Sequence, residues 1–231
     1  MAFLRRAQGR AADLDAELGW WLESWDPVIR DGGFNPGDVQ EFLDPGEPTA
    51  DTYEGRRRQV ARAEVRRVLS EAGIDDPRFF EGKVVVDIGP GPLGFPDACG
   101  AAVSIGVEPL AERFAAAGLL IPDSRAVYLA VGAEEIPLVS ESVDVVLSRN
   151  SLDHVREPEA VVAEVHRLLR PGGTFILNVD LDHPATATEP HTFTEERVRQ
   201  LLAPFEVERE TIGERAHGHE GRSMVVVARR A

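Results

Sequence analysis

One cysteine, Cys99, stands alone in 231 residues, so the chain can form no internal disulfide and build no cysteine-rich zinc module. No apolar run approaches the ~18 residues of a membrane span. The opening stretch MAFLRRAQGRAADLDAELG carries Arg5, Arg6 and Arg10 with no apolar block behind them, which predicts no signal peptide. Positive charge is scarce as well: 25 Lys and Arg stand against 40 Asp and Glu, a net charge of −15. A field of that sign repels phosphate, so nucleic acid and anionic lipid are poor partners. These absences predict a cytoplasmic protein with no nucleic-acid and no membrane partner, and they leave a homodimer open. Hydrophobic residues at 43% are enough for a real core. Basic residues crowd only at Arg56, Arg57, Arg58, Arg62, Arg66 and Arg67. The plain expectation there is the wet face of an amphipathic helix, and the sharper one is an anion-binding strip.

The first third predicts helices and no strand. Leu14, Leu18, Trp21, Leu22 and Trp25 recur at helical spacing over 11–25, with Pro27 as the expected stop. Residues 31–51 are rich in Gly, Pro and Asp, a long irregular loop. Residues 53–72 resume the helical period, with Gly73 as the stop. Residues 1–80 are therefore expected to form a helical cap, and 81–231 the working domain. Trp20, Trp21 and Trp25 would either attach that cap to the core or line an acceptor site.

From residue 83 the pattern turns to short β-branched runs: 83–88, 103–107, 126–130, 143–147 and 174–179. Helical stretches lie between most of them, for example 158–169, opened by Pro158 and closed by Pro171-Gly172-Gly173. That alternation predicts an α/β fold, a Rossmann-like, doubly wound and mainly parallel sheet. A helix over 194–202, capped by Thr192 or Thr194, leads to two last strands, 205–212 and 223–228. Only ten residues join that pair, too few for a crossover, so the seven-stranded sheet should end in an antiparallel hairpin.

The chemistry begins at Asp87-Ile88-Gly89-Pro90-Gly91-Pro92-Leu93-Gly94. Glycines admit a ligand close to the backbone, and Glu108, 19 residues after Gly89, is placed for a ribose diol. Taken literally, Gly89, Gly91 and Gly94 also satisfy the fingerprint of NAD enzymes. Three features argue otherwise. Asp87 at the strand tip is unwelcome beside a pyrophosphate and suits an ammonium group. Pro90 and Pro92 remove backbone donors. The closing hairpin departs from the dinucleotide fold.

These residues resemble the class I S-adenosylmethionine-dependent methyltransferases. The likeness runs through VVVDIGPGPLG, VEPL, GAEEIPL, SVDVVLSRNSLDHV and EVHRLLRPGGTFIL in the family's order, over about residues 83–229. It implies S-adenosyl-L-methionine as cofactor, with Gly89, Gly91 and Gly94 in the loop, Asp87 at the methionine end and Glu108 on the ribose. Ser148 and Asn150, after the fourth strand, join this set. The family's third loop glycine falls on Leu93, and Gly132 stands where many members carry an acid for adenine. The backbone of Ala133 and the side chain of Glu134 are left for that contact.

Ligands of such sheets sit beyond the carboxyl ends of the strands. Ser148, Arg149, Asn150, Asp153 and His154 follow the fourth strand; Asp180, Asp182, His183, Glu189 and His191 follow the fifth. A shared polar pocket for a small-molecule acceptor is expected. His154 is the first candidate base, oriented by Asp153 or Asp182, with His183 and His191 as alternatives or no protein base at all. The same density of Asp and His permits a divalent ion, but a hydrogen-bonded loop with a helix cap accounts for it, and no metal is predicted. His166, His217 and His219 are expected to be solvated. The expected function is O-methylation of a sugar or specialised-metabolite hydroxyl. The alternatives are N-methylation of a small amine and a cofactor-binding protein without turnover.

Overall fold

The computed structural model describes residues 14–32, 42–43, 46–214 and 221–231. Much of the expected 31–51 loop, and His217 and His219, lie outside the described residues.

Seven strands form one sheet: β1 Val84–Ile88, β2 Val103–Val107, β3 Val127–Leu129, β4 Val143–Arg149, β5 Leu169–Leu181, β6 Phe205–Glu214 and β7 Arg222–Arg230. Their order is β3-β2-β1-β4-β5-β7-β6. The first five pair in parallel, and β7 runs antiparallel to both neighbours. The expected α/β sheet with its terminal hairpin is present. Helices over Tyr53–Ala72 (α2), Phe95–Ala98 (α3), Ala111–Ala116 (α4), Pro158–Leu168 (α5) and Glu195–Leu201 (α6) follow a first helical segment α1 over 14–30.

Strand residues alternate between two cores, as the pleat requires. Val86, Ile88 and Val146 pack with Val161, Val165 and Val198 on one face. Val85, Val145 and Leu147 pack with Val68, Leu69, Ala72 and Phe95 on the other. Helix α2 thus lies directly on the sheet. It starts at Thr52, whose hydroxyl accepts the Gly55 N–H at 3.0 Å, and ends at left-handed Gly73. Helix α6 is likewise capped by Thr194.

Two expectations fail at the front of the chain. Pro27 does not stop the first helix. The helix widens into a π-turn over Trp21–Trp25, where the Asp26 N–H donates to Trp21 O five residues back, and then continues over Asp26–Arg30. The missing Pro27 N–H is absorbed where the ladder is already irregular. Nor is the arginine cluster a wet face. Arg56, Arg57 and Arg67 are buried, while Arg58 and Arg62 pair with Glu54 and Glu47 at the surface. Arg56 donates to Ile29 O, Arg30 O, Ala50 O and Asp51 O, capping α1 from outside. His166 is half-buried, with its ring 5.3 Å from that of Phe205. Among the described residues, no helix is long and apolar enough to cross a membrane.

Candidate active site

At the tip of β1 the chain must leave the sheet in a tight turn. Gly89 (φ 65°), Gly91 (φ 53°) and Gly94 (φ 84°) supply the left-handed backbone. A Cβ at Gly89 would come within 2.5 Å of Ser151 Cβ. Ser151 is a residue the sequence reading missed. Its hydroxyl donates to Ile88 O at 2.8 Å and meets buried Ser148 Oγ at 2.9 Å, so the pair braces the loop. From the other side, Arg57 donates to Pro92 O at 2.5 Å while its guanidinium lies over the Trp25 ring. The loop is held at both ends before any ligand arrives.

Asp87 and Glu108 are both buried at this end. The two oxygens of Glu108 accept the N–H groups of Leu110 (2.9 Å) and Gly91 (3.3 Å), tying the tip of β2 to the loop. Burial nevertheless pushes the Glu108 carboxyl up to about 7. Asp87 receives no hydrogen bond among the described residues, and burial pushes its carboxyl up to about 8, opposed mainly by the Arg149 charge. Arg149 is anchored behind it by Glu64, 1% exposed on α2, which also lies 3.6 Å from Arg67.

Residues 14–30 reach into the same place. A Cβ at Gly91 would stand 2.8 Å from the Trp21 ring. That ring also meets Trp20, Trp25 and Phe114 edge-on, and its Nε1 donates to Glu17. Trp25 is buried and Trp20 is 48% exposed, so the three tryptophans divide between core, glycine loop and surface. The only sequence signal for Trp21 and Glu17 was helical spacing, which does not say what a face covers.

The loops after β4 and β5 come together. His154 follows β4, with Nδ1 3.9 Å from Glu17 and Nε2 3.9 Å from both Asp153 and Glu189. His183 Nε2 lies 3.6 Å from the other oxygen of Glu189. His191 Nε2 lies 2.9 Å from Val155 O and joins the two loops. Asp182 pairs with Arg222 at 2.8 Å and does not orient His154. Asn150 is exposed, with φ 45°, and gives its N–H to Asn178 O, so it turns the chain.

Residues 86–177 match the methyltransferase-domain family. An uncharacterised methyltransferase of Mycobacteroides abscessus is 39% identical over 104 residues, 43% of this chain and 40% of that protein. The chain thus spans about two-fifths of the length of the curated relatives it matches. The matched stretch, about two-fifths of the chain, is similar to a methyltransferase domain. Two solved structures share its fold. The Burkholderia thailandensis 1,6-didemethyltoxoflavin-N1-methyltransferase, solved with 1,6-didemethyltoxoflavin and S-adenosylhomocysteine, has TM-score 0.51 and 21% identity, covering 75% of this chain and 79% of that one. The [4+2]-cyclase SpnF has TM-score 0.56 and 16% identity, covering 89% and 93%.

S-adenosylmethionine is the cofactor that this resemblance implies, and the residues present fit it. A buried carboxylate without a donor, Asp87, suits the ammonium group of an amino acid. Glu108 keeps lone pairs beyond the two backbone N–H groups it accepts, which suits a ribose diol. At the adenine end the expected Glu134 accepts the Arg156 N–H at 2.9 Å, while Ala133 is buried beside it. Glu134 therefore pins the loop after β4.

Proposed function

We propose that the domain transfers the methyl group of S-adenosylmethionine to a hydroxyl of a small molecule, a sugar or specialised metabolite, with residues 1–80 as a cap over the cofactor. The observation that carries this reading is the pair Asp87 and Glu108 around a glycine loop whose left-handed turns are braced from both sides. When bound, the cofactor would supply a methyl on a cationic sulfur, the carbon–sulfur bond breaking to leave the neutral thioether as the acceptor oxygen bonds to that carbon. Asp87, Glu108, Gly89 and Gly91 hold and orient that cofactor, while Gly94, Ser148 and Ser151 shape the loop. Alignment supplies much of the rate of such a reaction.

The acceptor lies between the loops after β4 and β5 and must lose a proton as the C–O bond forms. The proton goes to His183. Its Nδ1 is 2.9 Å from Pro184 O, so Nδ1 carries hydrogen and donates, and Nε2 keeps the lone pair beside Glu189. His154 and Asp153 form the wall of that pocket, and His191 holds its loops together. The acidic lining of Glu17, Asp153 and Glu189 favours one second reading, N-methylation of an amine. The N1-methyltransferase among the fold neighbours is in keeping with it.

Calorimetry with S-adenosylhomocysteine tests the cofactor site: one site per chain is expected, lost in Asp87→Ala/Glu108→Ala. Wild-type protein that binds neither this compound nor S-adenosylmethionine ends the proposal. Labelled-methyl transfer to panels of polyols and amines then separates the two acceptors. Binding without transfer to any acceptor would point to a cofactor-binding protein lacking turnover.

A further inference from the structure

We infer that Asp153, His154 and Glu189 form a binding site for a divalent cation at the acceptor end of the pocket. The inference rests on the proposed position of the acceptor and runs against the sequence expectation of no metal. Nε2 of His154 stands 3.9 Å from Asp153 Oδ1 and 3.9 Å from Glu189 Oε1. One ligand atom from each of the three residues lies within 4.8 Å of the others. Those separations are too long for hydrogen bonds between the three. They match the spacing of ligands around one ion, since oxygen and imidazole nitrogen bind divalent ions at about 2.0–2.6 Å.

A second observation points to a ligand. Asp153 is 6% exposed, and its Oδ1, the atom facing His154, accepts no hydrogen bond. An orphaned carboxylate oxygen in so buried a place is costly, and a cation is what it lacks. The rest of the site is prepared for that cation. Nδ1 of His154, the nitrogen away from the proposed ion, faces the Glu17 carboxylate at 3.9 Å, beyond hydrogen-bond length but on the side where an outer carboxylate orients a metal-bound imidazole. Glu189 is fixed by its own turn, with its N–H on Thr186 Oγ1 at 2.9 Å and its carbonyl accepting the Thr186 N–H at 2.8 Å. Backbone also holds His154, whose N–H donates to Ser151 O at 3.2 Å.

Two carboxylates and one imidazole suit an ion of the Mg²⁺ and Mn²⁺ class, which keeps its remaining positions for water or ligand oxygens. Such an ion beside the methyl donor would take two neighbouring oxygens of one acceptor and ease loss of a hydroxyl proton. The acceptor class this selects is a compound with vicinal oxygens.

The test is titration of Mn²⁺ into metal-stripped protein, followed by electron paramagnetic resonance and calorimetry. One site per chain is expected. Binding should weaken at least ~10-fold in Asp153→Asn and in Glu189→Gln, and by about 10-fold in Glu17→Gln, the loss expected for an outer partner. The exposed control Glu206→Gln should bind as wild type. No Mn²⁺ site in the wild-type protein overturns the inference, and so does equal binding by wild type, Asp153→Asn and Glu189→Gln. S-adenosylhomocysteine affinity is measured on the same samples. If that affinity stands while the Mn²⁺ site is missing, the metal inference fails alone; if both are missing, the function proposed above fails too.

Discussion

Two buried carboxylates, Glu64 on α2 and Asp87 at the end of β1, are treated in opposite ways. Glu64 lies against two arginines, Arg149 and Arg67, and Glu71 closes the group with Arg67 Nε at 2.8 Å and Asn178 Nδ2 at 3.4 Å. Asp87, a strand tip away, has the Arg149 charge nearby but no donor of its own among the described residues, and its carboxyl rises to about 8. Burial is the same for both; partnership is not. A buried carboxylate that the fold has neutralised is structural. One left without a donor fits the proposed place of the cofactor's ammonium group.

The comparison breaks most visibly by removing the structural member. Glu64→Ala would leave buried Arg67 and largely buried Arg149 short of their central partner. Loss of one member of a buried ion pair costs about 3–5 kcal/mol, so the urea midpoint should fall sharply, with cofactor affinity lowered only through unfolding. A change below about 1 kcal/mol would mean that Glu71 alone can hold both arginines.

Asp87→Asn should do the reverse. Apo stability is kept or raised, because a carboxyl whose ionisation burial penalises is gone, while S-adenosylhomocysteine affinity falls by ~10-fold or more, about 1.4 kcal/mol. Isothermal titration and thermal unfolding of the same preparation read both. Equal affinity would detach Asp87 from the ammonium group.

The titration of the pair gives a milder effect. Both carboxyls are higher in the folded chain, about 8 for Asp87 and about 7 for Glu108, than the roughly 4 of an unfolded chain. The folded state therefore holds their protons more tightly, and the stability they contribute is complete below about pH 4 and lost as pH rises through 7 and 8. Thermal unfolding of wild type should show a steeper decline from pH 5.5 to 8.5 than that of Asp87→Asn, and saturating S-adenosylhomocysteine should flatten the wild-type curve. Parallel curves for wild type and variant would show that Asp87 ionises normally in the folded chain.

Where sequence reading succeeded and where it failed follows the same division. The β-branched runs from Val84 to Val179 declared the sheet because a strand buried on both faces has no other composition, and the short link before β7 forced the hairpin. The placing of Asp87, Gly89, Gly91 and Glu108 at the strand tips was legible because the turn demands glycine and the strand tips are fixed in register. Burial of arginine was not. Arg56 and Arg57 lie on the inner side of α2 because their guanidinium groups meet backbone carbonyls of α1, the 50–51 turn and the glycine loop, and no local pattern announces a carbonyl from a distant segment. The meeting of Glu17, His154 and Glu189 likewise needs three separate elements.

Adjacent arginines on α2 give the finest form of the contrast. Arg57 is 2% exposed, with Trp25 beneath its guanidinium and Pro92 O at its tip; Arg58, one residue on, pairs with Glu54 across a turn of helix in the open. Solvent and salt screen the second pair, and i,i+4 pairs of that kind contribute about 0.3–0.5 kcal/mol. Arg58→Ala should therefore shift the unfolding free energy by no more than about 0.5 kcal/mol, less still in 0.5 M NaCl, and leave cofactor affinity alone. A loss several times larger would mean that the contact of Arg58 with Pro122 O, 3.0 Å away, anchors α2 to the chain beyond α4. Arg58 would then belong with the buried arginines, despite its exposure.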